Sequence, residues 1–194
     1  MILFIIPIKP HINDSVWYLL RNTLRSIFNI DGCIQVITVS NTRMQIYGEL
    51  NIVTDKRHPE KPEFDKLEKI KIGFEKSHLF NPKYIMVFDY DDYISSKLFT
   101  YIGETNNGYY MDSGYIYENQ QKLFLMSSGF YNYCGSSLIV RPNYLPELLD
   151  HNIYNHFQNS FLEPIYDPLV VYNRCNGENL IATKQFDKSR LICL

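Results

Sequence analysis

Tyr84-Ile85-Met86-Val87-Phe88-Asp89-Tyr90-Asp91-Asp92 is the stretch whose reading decides the fold. Its first five residues are apolar and its last four hold three carboxylates, so a buried strand runs out into an acidic tip. A strand apolar on both sides belongs to a parallel sheet covered by helices. Upstream residues fit the same plan. Ile2 to Ile8 is a continuous apolar strand, broken by Pro7 and Pro10, and Asn13-Asp14-Ser15 offers an N-cap. Val16, Leu19, Leu20, Thr23, Leu24 and Ile27 then recur at helical spacing. Ile34 to Val39 is a second strand ending in Ser40-Asn41, and Leu50 to Val53 a short third. Pro62 opens a charged amphipathic helix with an expected buried face of Phe64, Leu67, Ile70 and Phe74. Tyr84 to Phe88 is the fourth strand.

Strands alternating with helices predict an α/β fold with a mostly parallel central sheet flanked by helices. Right-handed crossovers deliver the strand ends to one edge, where open sheets of this kind bind ligands. Pro7-Ile8-Lys9, Ser40-Asn41 and the acidic tip should therefore meet, with the strands ending near Ile8, Ser40 and Phe88 as neighbours. After Asp92 the style changes. A short helix starts near Ser95 and ends by Gly103. Tyr109 to Tyr117 and Lys122 to Met126 flank Glu118-Asn119-Gln120 as a hairpin would. Leu138 to Val140 is a short strand, Leu145 to Phe157 a helix, and few periodic features follow Asn173. With no linker or repeat, the expectation is one domain over 1–194. Residues 1–92 form one half, and 93–194 a smaller mixed subregion.

The 194 residues suffice for a real core, and 45% hydrophobic with 21% charged residues is an ordinary globular balance. A net charge of −2 leaves no basic surface for a nucleic-acid backbone. Cys33, Cys134, Cys175 and Cys193 form no C-x-x-C pair, so zinc clusters are poorly supported and reduced thiols in the cytoplasm are expected. The N-terminal apolar run is too short to span a bilayer and lacks signal-peptide flanks, so no integral membrane segment is expected.

On an extended chain Asp89 and Asp91 would point the same way. Two like charges so close raise each other's pKa unless a cation sits between them. Oxygen ligands of this kind select Mg²⁺ or Mn²⁺, which typically take one or two carboxylates plus phosphates and water. The plainer alternative is that Asp91 or Asp92 caps a helix beginning near Ile94.

Tyr84 to Ser96 resembles the strand and D-x-D motif of glycosyltransferases with the GT-A fold, especially the family 2-like group. The first strand with Pro7, the helix containing Leu20 to Ile27, and Ile34 to Asn41 resemble its nucleotide-binding half. Cys134-Gly135-Ser136-Ser137-Leu138-Ile139-Val140-Arg141 is similar to the region shaping the acceptor side. The resemblance implies that Asp91 binds Mn²⁺ or Mg²⁺ and that Asp89 contacts the ribose, or the metal through water. Pro7, Ile8 and Asn41 would line the nucleoside of a nucleotide-sugar donor. Many members carry an acidic run where this chain has Ser40-Asn41-Thr42, which leaves the base open. Gly135, Ser136 and Ser137 would face a glycan or other hydroxyl acceptor.

Asp65, Lys66 and Lys69 are candidates for holding the diphosphate, against the plainer expectation of a solvated helix face. A divalent cation would offset the charge developing on the leaving diphosphate, and a positioned acid would take the acceptor's proton. Asp112, Glu147 and Asp150 are candidates for that base. His151 and His156 are candidates for a further metal ligand, as in some GT-A enzymes. Competing readings are a GT-A-shaped domain that binds without turnover and an aspartyl-nucleophile phosphatase. The phosphatase motif normally lies on the first strand with Thr or Val where this chain has Tyr93. Nucleotidyl transfer usually brings a Gly-rich loop, and Pro7 to Ser15 holds no glycine.

Overall fold

In the computed structural model the described residues are 1–10, 12–44, 46–58, 60–105, 107–118, 122–150, 161–174 and 191–193. Strand β1 (Ile2–Pro7) lies between β2 (Ile34–Ser40) and β4 (Tyr84–Val87), parallel to both, and β3 (Leu50–Val53) extends the sheet beyond β2. Ile2 stands opposite Ile34 and Tyr84, and Ile5 opposite Ile37 and Val87. The ends at Pro7, Ser40 and Val87 therefore share one edge, as the sequence predicts.

Helix α1 (Asp14–Phe28) starts at Asn13, whose side chain accepts the Val16 N–H at 2.9 Å. Its buried residues are the six expected from spacing, and they pack on Ile2, Phe4, Ile6, Met86 and Phe88. Helix α2 (Pro62–Ser77) covers the opposite face; of the expected stripe it buries Ile70 and packs half-buried Leu67 and Phe74 on the core, but it turns Phe64 outward. Phe64 is 61% exposed, while Asp65, Lys69, Ile70, Gly73 and Ser77 are buried. The cause is close approach: a Cβ on Gly73 would lie 2.5 Å from Ile5 Cγ2. Seating Gly73 on the strand rotates Asp65 and Lys69 inward, where an ion pair and a strand-end carbonyl replace apolar contacts.

The second half adds β5 (Tyr93–Ile94), α3 (Leu98–Tyr101), β6 (Gly108–Met111), β7 (Gly114–Glu118), β8 (Lys122–Met126), β9 (Leu138–Val140), α4 (Leu145–Asp150), β10 (Glu163–Ile165), β11 (Val170–Arg174) and β12 (Leu191–Cys193). The central sheet has the order β10-β6-β9-β4-β1-β2-β3, and a second sheet the order β12-β8-β7-β11-β5. Among the described residues of the central sheet, β9 alone runs against its neighbours. This is the expected α/β class, a mostly parallel sheet beside a smaller mixed one.

The Tyr109 to Tyr117 run is not one hairpin arm. It divides at Asp112-Ser113, β6 joining the central sheet and β7 pairing with β8 in the second. Among the described residues, β11 runs into the tail where few periodic features were expected, and β12 lies within it. The helix expected over Leu145 to Phe157 is described as far as Asp150; residues 151–160 lie outside the description. No helix among the described residues is long and apolar enough to cross a membrane.

Gly108 opens β6 at φ +142, and a Cβ there would fall 2.1 Å from Ile139 O and 2.8 Å from Val140 Cα. Both obstacles are backbone of the neighbouring strand and cannot swing aside. Gly108→Ala is expected to lower unfolding stability by about 3 kcal/mol, read as an earlier urea midpoint at unchanged slope.

Candidate active site

Beyond Val87 the chain leaves the extended conformation and Tyr90-Asp91 form a turn, with Asp92 N–H donating to Asp89 O at 3.3 Å. The alternation argument for Asp89 and Asp91 pointing alike therefore does not apply. A turn, rather than a strand pleat, gathers the carboxylates. Helix α1 holds this turn from below. Thr23 Oγ1 lies 2.7 Å from Tyr90 O and 2.8 Å from Asp92 O, and Ser26 Oγ accepts the Ile94 N–H at 3.2 Å.

The three acids have different roles. Asp92 is fully buried: Ser136 donates its hydroxyl to Oδ2 at 2.6 Å, and the Asn173 N–H donates to Oδ1 at 3.1 Å. Burial, then the charges of Asp91 and Asp89, pushes this carboxyl well above the usual range, while those two hydrogen bonds act the other way. Asp92 is thus an anchor joining α1's turn to β11 and the Ser136 loop. It does not cap a helix, since α3 begins at Leu98 behind Lys97 with no side-chain cap. Asp89 is ion-paired with Lys66 of α2. Asp91 is 5% exposed, and its charge opposes the effect of burial that lowers the Lys9 pKa. Among the described residues no three His, Cys, Asp or Glu side chains cluster in a way that could hold a metal.

Pro7, Ile8 and Asn41 reach the same edge. The Ile8 N–H donates to Val39 O at 2.9 Å, and Ile8 O accepts from Lys69 Nζ at 2.7 Å. Lys69 is 1% exposed and bonds Asp65 Oδ2 at 2.6 Å; Asp65 Oδ1 takes the His58 N–H at 3.1 Å. Burial lowers the Lys69 pKa, and Asp65 opposes that shift. Asp65 and Lys69 are therefore neither a solvated face nor turned to a diphosphate, but a buried brace under the first strand end. Asn41 is 7% exposed and its Nδ2 donates to Thr54 O at 2.9 Å and Lys56 O at 2.7 Å. Those two carbonyls fix the amide orientation and leave a buried Oδ1 with no hydrogen-bond partner among the described residues.

Gly135 is half-buried beside the turn. The Ser136 and Ser137 hydroxyls are fully buried and engaged: Ser136 also accepts the Asp89 N–H at 2.8 Å, and Ser137 donates to Cys134 O at 2.7 Å. Both hydroxyls are turned inward rather than toward an acceptor, Ser136 supporting the acidic turn and Ser137 closing its own loop onto Cys134. Ser136→Ala would leave the Asp89 N–H without a partner and Asp92 Oδ2 with only the weak Cys134 thiol donor at 3.5 Å. A stability loss of about 3 kcal/mol is expected in thermal unfolding, against about 1 kcal/mol for Ser137→Ala.

Glu147 is exposed on α4, whose Leu145 and Leu149 pack against Leu3 and Ile5, and nothing in its contacts ties it to the acidic turn. The Asp150 side chain, His151 and His156 lie outside the described residues. Asp112 Oδ1 accepts the Gly129 N–H at 2.9 Å at the end of β6. Tyr172 went unremarked in the sequence. Burial, then the charges of Asp92, Cys134, Asp89 and Asp91, raises its phenol pKa, so β11 brings this ring to the acidic turn. The signal available was the Leu169-Val170-Val171-Tyr172 run.

No protein-family model matches the chain, and no curated protein sequence matches it. Solved structures do. The crystal structure of S. aureus TarS 1-349 in complex with UDP-GlcNAc superposes with a TM-score of 0.57 at 13% identity, over 91% of this chain and 59% of that one. TarS 1-349 without that ligand gives 0.56 at 12% identity over 89% and 60%. A glycosyltransferase involved in the glycosylation of the major capsid of PBCV-1 gives 0.49 at 9% identity over 88% and 92%. The chain thus shares its fold with TarS and spans about 60% of TarS 1-349.

Proposed function

We propose that this chain transfers a sugar, of the hexosyl class, from a nucleotide-sugar donor to a hydroxyl of a glycan, lipid-linked or protein acceptor. The observation that carries the reading is the braced acidic turn, set where the parallel strands end, in a fold shared with a TarS structure that holds UDP-GlcNAc. Ligands of such sheets lie outside those ends. A cytoplasmic location belongs to the same proposal.

Asp91, with Asp89 once Lys66 turns to a phosphate, fits a Mn²⁺ or Mg²⁺ ion that keeps phosphate and water ligands; it does not fit a closed protein cage. When bound, such an ion offsets charge on the leaving diphosphate. Pro7 and Ile8 edge the nucleoside pocket, and Asn41 Oδ1 offers it a hydrogen-bond acceptor. A buried acceptor left alone costs about 1–3 kcal/mol, so the base that fits presents an N–H. Uracil does so at N3, where cytosine has a bare ring nitrogen and carries its N–H only on the exocyclic amine. UDP is expected to bind about tenfold more tightly than CDP, a preference that Asn41→Ala abolishes; equal affinities for wild type in calorimetry would reject this role. His156 is kept as a possible added metal ligand, and Glu147 and Asp150 as candidate bases.

A binding domain without turnover is the second reading, favoured by the Lys66 ion pair on Asp89. Titration of UDP-GlcNAc with and without Mn²⁺, followed by a donor hydrolysis assay, separates the two. Binding with no hydrolysis selects the second, and no binding with or without Mn²⁺ rejects both.

A further inference from the structure

We propose that Tyr110, Tyr131 and Tyr166, with Asp112, form a subsite for a pyranose ring of the acceptor. The acceptor is then a cyclic sugar rather than an open-chain polyol or a peptide hydroxyl. This deepens the nucleotide-sugar reading above and rests on it. Asp112 directly follows β6 and Tyr166 directly follows β10, and these strands are parallel neighbours with Ile165 opposite Met111. Both residues therefore leave the central sheet at the edge that carries Asp89. Only β9 separates β6 from β4, so the cluster lies two strand spacings, about 10 Å, along that edge. That interval holds one sugar ring between the carboxylates and the tyrosines. The connection is also direct through the backbone. Met111 N–H donates to Ser137 O at 2.8 Å, and the adjoining Ser136 hydroxyl accepts the Asp89 N–H.

The cluster is built rather than loose. The Tyr110 and Tyr131 rings meet edge to face, 4.9 Å apart at 77°. Tyr166 is 69% exposed, on a backbone pinned by the Ser113 hydroxyl donating to Tyr166 O. Asp112 is fixed by three bonds: its N–H to Ile165 O at 2.9 Å, its carbonyl from Phe130 N at 3.0 Å, and Oδ1 from Gly129 N at 2.9 Å. Burial, then the charge of Asp112 and the phenols of Tyr131 and Tyr166, raises the Tyr110 phenol, so the four groups lie within electrostatic reach of one another. Such a set matches a pyranose. The axial C–H bonds on one side of the ring carry slight positive charge and suit the negative face of an aromatic ring, while the hydroxyls around its rim reach phenols and a carboxylate. Tyrosines supply that area at small entropic cost. An open-chain polyol has the hydroxyls but no flat C–H face.

The test is saturation-transfer NMR on the whole chain with diamagnetic Mg²⁺ and UDP. The probes are methyl α- and β-glycopyranosides of glucose, galactose and N-acetylglucosamine, with ribitol as the open-chain comparison. At least one glycoside should receive saturation from the aromatic resonances, strongest on one face of its ring, and ribitol should not. Tyr166→Ala should cut the transfer about fivefold or more. Its ring is exposed, so the variant should melt as wild type does. Failure of every glycoside, an equal signal from ribitol, or an unchanged signal in Tyr166→Ala overturns the proposal. UDP-GlcNAc affinity on the same samples separates the two failures. Donor binding without glycoside binding sinks the subsite alone, and glycoside binding at Tyr166 without donor binding sinks the donor reading.

Discussion

Asp91→Asn is expected to lower kcat/KM for sugar transfer by about 10³-fold while leaving the metal-free protein at least as stable as wild type. Asparagine keeps the size and one oxygen but removes the charge that a divalent ion needs. Asp91 is buried beside Asp92, a second acid held above its usual range first by burial and then by the charge of Asp91 itself. Neutralising Asp91 removes that repulsion, so the melting temperature without metal should stay level or rise. The stabilisation that Mn²⁺ and UDP-GlcNAc confer together on wild type should disappear. A role in capping would leave metal-dependent stabilisation intact. Calorimetric titration of Mn²⁺ with UDP into both proteins decides the matter, and equal affinity would sink the assignment of Asp91. Lys66 supplies a control of opposite sign. It holds Asp89 in the absence of ligand, so Lys66→Met should tighten Mn²⁺ binding without nucleotide while weakening binding of the diphosphate.

The sheet could be read from the sequence because its strands are apolar on both faces and α1 is apolar on one. These are patterns that burial alone dictates. The edge where Pro7, Asn41 and the acids meet follows from the same patterns through the handedness of crossovers. Legibility failed wherever a polar residue was buried by a partner far along the chain. Phe64 looked like a core residue and Lys69 a surface one, since nothing near Gly73 announces that α2 sits directly on Ile5. Ser136 and Ser137 looked like sugar contacts, yet Asp92, 44 residues away for Ser136, claims that hydroxyl. The third carboxylate of the motif is the most telling instance. Sequence spacing offered it a capping role as the plainer alternative, whereas 81 residues of chain return to bring the Asn173 N–H to it. The division of Tyr109 to Tyr117 between two sheets at Asp112 was equally hidden, because both arms alternate alike.

Lys69→Met is expected to be the most damaging substitution for stability outside the apolar core, at about 3–5 kcal/mol. Two groups lose their partner: Asp65 becomes an uncompensated charge at 3% exposure, and Ile8 O loses the ammonium 2.7 Å away. The pair itself is not the source of that figure, since taking both charges out of water costs about as much as their attraction returns. The double variant Asp65→Leu/Lys69→Met separates these contributions. It removes both charges together and leaves the Ile8 carbonyl, so it should recover most of the loss and stop about 1–2 kcal/mol short of wild type. If the double variant is as unstable as Lys69→Met, the brace acts through Ile8 rather than through charge. Nucleotide binding follows a different order. Lys69 fixes the carbonyl at the end of β1, where Pro7 and Ile8 are proposed to edge the nucleoside, so both variants should bind UDP more weakly than wild type even where stability is restored. Urea unfolding and UDP titration on the three proteins read the two effects independently. Wild-type UDP affinity in the double variant would show that the buried brace serves the fold alone.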